Sequence, residues 1–286
     1  MRIDLDSLAT QALSRAGMVP LAMERITTLG LGTSRRAAWR VELTDGRTVK
    51  VRCVRDARWA LRGSWIRAGL RDDAFPPVLS RWQSVIVEAW VAGEPWLRDD
   101  AALDAQIAAT APILGRLHAV EAIAGRRVRS LRPPSRWRRT TEAQLAHLAA
   151  VGALDEACVA ELRAALHRTD PGTASVGVVH GDFCLENVVL GADGRVFVVD
   201  NEEVRIDALD FDLGFVWYRW RLAEREFQRF LDAYAQLAGR RPGDLAFWKI
   251  AGVVKSAHAR VTRYPATAGA ALERLRTLAV EVETGA

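Results

Sequence analysis

The period of the apolar residues changes once along this chain of 286 residues, near residue 93, and that change limits the fold more than any other feature. Up to that point apolar residues mostly alternate, as they do along half-buried strands. Residues 25–54 alternate around two turn signals, Gly30-Leu31-Gly32-Thr33 and Thr44-Asp45-Gly46. The second lies between Trp39–Leu43 and Thr48–Val54 and reads as a hairpin. Trp59, Gly63, Ile66 and Leu70 form one stripe of a helix over 56–70, and Val78–Trp82 and Ser84–Trp90 read as two further strands. After Gly93-Glu94-Pro95 the spacing is helical over 101–119, 141–151, 155–168, 214–238, 243–262 and 267–283, with a strand pair at 187–200 as the exception. The expected fold is α+β and two-lobed, with a small β-rich lobe over residues 1–92 and a larger, mostly helical lobe over 93–286.

Several classes are excluded at once. Half of the residues are apolar and 26% are charged, which suits a packed core and not a disordered polymer. No run of apolar residues approaches the length a membrane-spanning helix needs. The opening Met1-Arg2-Ile3-Asp4-Leu5-Asp6 has acids where a secretory leader needs a basic and then an apolar run. Cys53, Cys158 and Cys184 are odd in number and widely spaced, against both a disulfide framework and a structural zinc site. A reduced, soluble, cytoplasmic protein is the expectation.

The charge is unevenly placed. The net charge is +5, and of 40 basic residues only Lys50, Lys249 and Lys255 are lysines. From Phe215 to Ala286 there are 12 basic and 7 acidic residues, so the whole excess sits in the last quarter. Seven arginines between Arg126 and Arg139 read as solvated surface. Trp137 is interleaved with them, but no recognition motif accompanies the cluster, and no nucleic-acid partner is expected.

The strand pair carries the chemistry. Asp193-Gly194 between two β-branched runs is a two-residue hairpin turn, and that loop sets Asn187 directly opposite Asp200. Opposed residues hold their Cβ atoms about 4.5–5.5 Å apart, so two oxygen-bearing side chains meet where one magnesium ion could be held. A four-residue turn shifts that register by two. Upstream stands Val178-Val179-His180-Gly181-Asp182-Phe183-Cys184-Leu185-Glu186-Asn187. An aspartate beside such a metal pair is placed to accept a proton from an attacking hydroxyl while the ion neutralises phosphate charge.

This ordered set resembles the small-molecule branch of the protein-kinase-like fold, the aminoglycoside phosphotransferase and choline kinase family. That family's loop reads His-Gly-Asp-x-x-x-x-Asn and is followed by an Ile/Val-Asp-aromatic-Glu metal motif. The resemblance implies an ATP- and magnesium-dependent phosphotransferase acting on a hydroxyl of a small molecule, an antibiotic, sugar or other natural product. It makes Asp182 the catalytic aspartate, Asn187 and Asp200 the magnesium ligands, and His180 a scaffold. Cys184-Leu185 is similar to the aminoglycoside 3′-phosphotransferases, whose members confer antibiotic resistance. Leu114–His118 resembles the family's Leu-His helix, and Phe211-Asp212-Leu213-Gly214 the stretch whose aspartate supports the catalytic loop from behind.

By the same resemblance the first lobe holds ATP. The backbone around Gly30, Gly32 and Ser34 is positioned to approach phosphates, and the Thr48–Arg52 strand supplies their cation. Lys50 is preferred in a chain so poor in lysine, yet Arg52 shares its strand face and stays open as the alternative. Backbone groups of Glu88 and Trp90 are expected to meet adenine. Two departures from the family stand out: Asn201 occupies the aromatic position, and the 56–70 helix has no glutamate to pair with the phosphate-binding cation, only Asp56 at its start. The alternative function is a pseudokinase-type nucleotide-binding module without phosphotransfer. The positive last quarter favours a neutral or anionic hydroxylated acceptor over a polycation. The oligomeric state is not legible.

Overall fold

Helix α1 (Leu5–Arg15) opens the chain where strands were expected. The carboxylate of Asp4 caps it, accepting the N–H groups of Asp6 and Ser7 at 3.1 and 3.2 Å. Its buried Ala9, Ala12 and Leu13 follow a helical spacing that the short apolar run had concealed. The structure is a computed structural model that describes residues 4–26, 36–70 and 72–284. Strands β1 (Pro20–Arg25), β2 (Ala37–Leu43) and β3 (Thr48–Cys53), helix α2 (Ala57–Ala68), and strands β4 (Val78–Trp82), β5 (Val85–Ala89) and β6 (Gly93–Pro95) follow. Next come α3 (Leu103–Ala119), β7 (Ala122–Ile123), β8 (Arg126–Arg127), β9 (Ser130–Arg132), α4 (Ser135–Ala150), α5 (Glu156–Arg168) and β10 (Ala174–Val179). The remainder is β11 (Val188–Gly191), β12 (Val196–Val198), β13 (Arg205–Ala208), α6 (Leu209–Arg219), α7 (Glu224–Ala238), α8 (Ala246–Arg263) and α9 (Gly269–Thr284).

Two compact units result. The first comprises residues 1–99, 123–126 and 185–205, and the second 100–122, 127–184 and 206–286. The leading segment of the first unit thus runs to Asp99, and the 185–205 hairpin joins it. The reason is β6, which pairs with β11 through Val189↔Pro95 and Leu190↔Glu94.

In the first unit β1-β2-β3-β5-β4 form one antiparallel sheet. Alternate residues Trp39, Val41, Val49, Val51, Val85 and Val87 face one way and pack with Ala9 and Leu13 of α1. The opposite face of β3 and β5 is left for charged side chains. In the second unit α3 packs on α7, α6 on α8, and α9 on α5 and α8. A sheet of β13-β10-β9, absent from the sequence reading, feeds the loop at His180. The single helix expected over 214–238 is two: Arg221 takes a positive φ of 53°, and Glu226 accepts the Ala223 N–H at 2.8 Å to start α7. Helix α4 begins six residues earlier than expected, directly after Pro134. Its Trp137 donates to Asp207 at 2.6 Å and packs edge-on against Trp248, so the tryptophan of the arginine cluster is a packing residue. Among the described residues no helix is long and apolar enough to cross a membrane, and all three cysteines are buried with none in a disulfide.

Candidate active site

The charged face of β3 and β5 gathers an ionic cluster in the first unit. Lys50 and Glu88 are directly opposed across the strands, with Nζ 3.8 Å from Oε1. The same Nζ lies 3.8 Å from Asp200 Oδ1. Arg52, two residues on, bonds Asp200 Oδ1 and approaches Glu202 at 3.6 Å. Glu88 is only 3% exposed and is bonded a second time by Arg67 of α2, which also donates to the Pro76 carbonyl. Trp59 donates its indole N–H to the Glu202 carbonyl at 2.7 Å, and Arg36 reaches the Glu202 carboxylate at 3.2 Å. The helix that lacks a glutamate therefore contributes a cation, and the acid that pairs with Lys50 comes from the neighbouring strand.

Burial and charge oppose each other in this cluster. Burial alone pushes the Glu88 carboxyl up, but Arg67, Lys50 and Arg52 outweigh it and hold the group below its usual range. Burial and the adjacent Arg52 push the Lys50 ammonium down, against the pull of Glu88 and Asp200. Burial raises Glu202, with Arg52 opposing. Arg52 loses hydration on burial, yet Asp200, Glu202 and Glu88 keep its guanidinium more firmly protonated than usual.

The hairpin expected to carry two oxygen ligands, Asn187 and Asp200, has a different register from the expected one. Val188↔Val198, Val189↔Phe197 and Leu190↔Val196 are paired, and the Val199 N–H donates to the Asn187 carbonyl at 2.8 Å. Asn187 is thus opposite Val199, and Asp200 lies one residue further on. The loop holds three residues, Ala192-Asp193-Gly194, with Gly194 left-handed at φ 77°, and it closes by a bond from the Gly191 N–H to the Arg195 carbonyl at 2.8 Å. Asp193 accepts from the Arg195 backbone and side chain, which favours this longer loop. Asp200 itself is left-handed at φ 62°, a conformation aspartate tolerates better than most residues. Asn201, in place of an aromatic, is buried and donates to the Val198 carbonyl at 2.9 Å, fastening that bend.

In the second unit, β10 delivers His180-Gly181-Asp182 to a fully buried carboxylate. Asp212 of α6 accepts the N–H of His180 at 2.7 Å and that of Gly181 at 2.9 Å. His118 of α3 meets the same carboxylate through Nε2 at 3.2 Å and Tyr234 of α7 through Nδ1 at 3.0 Å. A carboxylate only accepts, so Nε2–H donates to Asp212, and in a neutral ring Nδ1 is then left to accept the Tyr234 hydroxyl. Burial pushes that phenol up to about 12, which keeps the proton on it. The ring of His180 is fully buried, and its Nδ1 accepts the Asp182 N–H at 3.3 Å. The loop is therefore held by its backbone, and the Asp182 side chain remains partly exposed. Arg219 Nη1 lies 3.3 Å from Asp182 Oδ1, and Lys255 donates to the Gly181 carbonyl at 2.9 Å.

Lys50, Arg52, Glu88, Asn187 and Asp200 all belong to the first unit, and Asp182 to the second. Gly30, Gly32 and Ser34 lie outside the described residues. Glu88 is not placed as expected. Its backbone is paired with Lys50 on one side and Val78 on the other, inside the sheet, and its side chain is committed to the cations. The Trp90 N–H is likewise engaged, donating to the Thr48 carbonyl at 3.4 Å. Arg67, Glu202, Arg219 and Lys255, which these contacts bring in, were not among the expected site residues. The metal motif ends on Glu202 and the scarcity of lysine marked Lys255, but no local signal marked Arg67.

A family model described as the phosphotransferase enzyme family matches residues 79–248. Among solved structures the chain resembles a choline kinase from Streptococcus pneumoniae at 14% identity, with a TM-score of 0.68 over 97% of this chain and 99% of that one. It also resembles a macrolide 2′-phosphotransferase from Brachybacterium faecium at 21% identity, TM-score 0.66, over 95% and 97%. A third likeness is to a thermostable mutant of an aminoglycoside phosphotransferase bound to ADP and hygromycin B, at 16% identity, TM-score 0.65, over 96% and 98%. At these identities the likeness is one of fold, and the β-rich sheet followed by a helical part is that of the kinase-like folds. No curated protein sequence matches the chain.

Proposed function

The chain belongs to the phosphotransferase enzyme family, and from that premise we propose that it transfers the γ-phosphoryl group of ATP to a hydroxyl of a small molecule. The observation that carries this reading is the loop at Asp182. Four hydrogen bonds hold its backbone, while the Asp182 side chain is left partly exposed with Arg219 at 3.3 Å. In this reading Asp182 accepts the acceptor's hydroxyl proton as the oxygen attacks the γ-phosphorus, and ADP leaves. Lys50 and Arg52 hold the nucleotide phosphates, and Glu88 and Arg67 keep Lys50 in place on its strand. The Asn187 amide and the Asp200 carboxylate are hard oxygen donors of the kind magnesium takes. The Asp200 side chain is 39% exposed, and its charge faces Lys50 and Arg52. Among the described residues no three histidine, cysteine or carboxylate side chains are grouped to hold a metal. Such a sparse set fits magnesium, which completes its shell with phosphate and water. When bound, the ion supplies neutralisation of phosphate charge. Retention of Asp182, Asn187 and Asp200 together leaves the module without phosphotransfer as the weaker reading.

The test is release of ADP from magnesium and ATP across a panel of hydroxylated antibiotics, sugars and metabolites. Asp182→Asn is expected to lower turnover by about 10²-fold or more while nucleotide binding stays nearly intact. Near-normal turnover in that variant removes Asp182 from the mechanism.

A further inference from the structure

Helix α6 carries both the clamp on the loop at Asp182 and a cation on its side chain. Asp212 and Arg219 are seven residues apart, two helical turns, and so lie on one face. Asp212 takes the loop's backbone N–H groups, while Arg219 reaches forward to Asp182 Oδ1 at 3.3 Å and to the Cys184 sulfur at 3.4 Å. Phe215, one turn before, lies beneath the guanidinium at 5.5 Å and also beneath Lys255 at 5.1 Å. Lys255 in turn holds the Gly181 carbonyl, so two cations flank the residue that must take a proton. On the same helix Trp217 lies under Lys249 at 5.0 Å and Arg274 at 4.6 Å. Those two are neutralised by Glu224 and Glu281, both at 2.9 Å. Arg219 has the Asp182 carboxylate itself within reach, at 3.3 Å.

We propose that Arg219 binds an anionic group of the acceptor, so that the substrate is a hydroxylated small molecule bearing a carboxylate or a phosphate. The inference rests on the reading of Asp182 as the phosphotransfer base. A cationic acceptor meets Arg219 and Lys255 on its way to Asp182 and is disfavoured by both. A neutral acceptor leaves the Arg219–Asp182 pair in place, with an Asp182 oxygen engaged by the guanidinium. An anionic acceptor offers the guanidinium a second partner suited to its planar fork of donors. Arg219 then exchanges one anion for another and stays paired, and the Asp182 oxygen it gives up is released to accept the hydroxyl proton. Selection of the acceptor and release of the base become one event.

The experiment is calorimetric titration of the full chain, with magnesium and ADP present, using four matched sugars: glucose, glucosamine, glucuronate and glucose 6-phosphate. At least one anionic sugar is expected to bind about tenfold or more tightly than glucose and glucosamine, less so as salt rises. Which anion binds separates a carboxylate from a phosphate preference, and either supports the proposal. Arg219→Gln is expected to remove about 10- to 100-fold of the affinity for the anion while leaving glucose unchanged, and Arg219→Lys to restore part of it. Equal binding of all four sugars by the unmodified chain overturns the proposal, as does an anion preference that survives Arg219→Gln. Should the glutamine variant melt early, the lysine variant decides: equal losses for the anion and for glucose would mark Arg219 as structural only. Release of ADP from magnesium and ATP by the unmodified chain and by Asp182→Asn reports on phosphotransfer separately, so its failure and that of the acceptor inference are distinguishable.

Discussion

Glu88 shows how much one buried carboxylate does in the first unit. It sits between Lys50 and Arg67 and is 3% exposed. Glu88→Gln keeps the shape and removes the charge, leaving two buried cations without their shared partner. Breaking a buried pair from one side costs about 3–5 kcal/mol, so chemical denaturation at neutral pH should show a loss of that order. The pH dependence has a definite sign. The folded carboxyl is held below its unfolded value of 4.5, so its stabilisation is complete above that pH and is lost as pH falls through the folded value. The gap between the native chain and Glu88→Gln should therefore narrow below about pH 4.5. A gap that stays constant down to acid unfolding would show that Glu88 is not the charged partner of Lys50 and Arg67.

Among the elements, the two Asp-Gly hairpins behave alike. Asp45 and Asp193 each accept from an arginine two residues on, and Gly46 and Gly194 are both left-handed, at φ 83° and 77°. Each turn spans three residues where the dipeptide suggested two at 193–194, and one extra residue moves Asp200 out of line with Asn187. The dipeptide signal was legible. The bulge was not, because the third residue, Ala192, has no preference that announces it. In the second unit α6 and α8 touch through backbone. A Cβ on Gly214 would fall on the Trp248 carbonyl and lie 2.8 Å from the Lys249 nitrogen, and Gly252 is 3.2 Å from the Gly214 carbonyl carbon on the same terms. Gly214→Ala should destabilise the chain by about 1–3 kcal/mol through forced separation of the helices. Since Asp212 and Arg219 ride on α6, turnover should fall as well. Unchanged melting in that variant would mean the two helices can part freely.

For the whole molecule, ligand binding and stability are linked. A nucleotide held only by the folded chain raises the melting temperature, by the equivalent of about 2.7 kcal/mol when its concentration is a hundredfold above Kd. Magnesium with ADP should stabilise the chain more than ADP with a chelator, and Asp200→Ala should abolish that difference. A magnesium effect that persists in Asp200→Ala would move the ion to other ligands. The uneven charge acts at this scale too. Its excess in the last quarter proved to lie partly on Arg219, Lys249, Lys255 and Arg274, stacked over aromatic rings of α6 and not simply solvated.

What the sequence determined by itself was whatever neighbouring residues decide together. The change of apolar period separates the strands from the helices. The loop from His180 to Asn187 could be read because its chemistry lies within eight consecutive residues. Tertiary structure alone decided the partners of those residues. Glu88 was read as a backbone contact because strand pairing, not local spacing, brings its side chain opposite Lys50. Arg67 was unremarked, and Arg219 counted only as part of the positive last quarter, because each is one arginine among many until a helix turns it towards a particular carboxylate. Spacing along the chain reports on contacts within a turn or a strand, whereas contacts between distant segments depend on register and on which face each element buries.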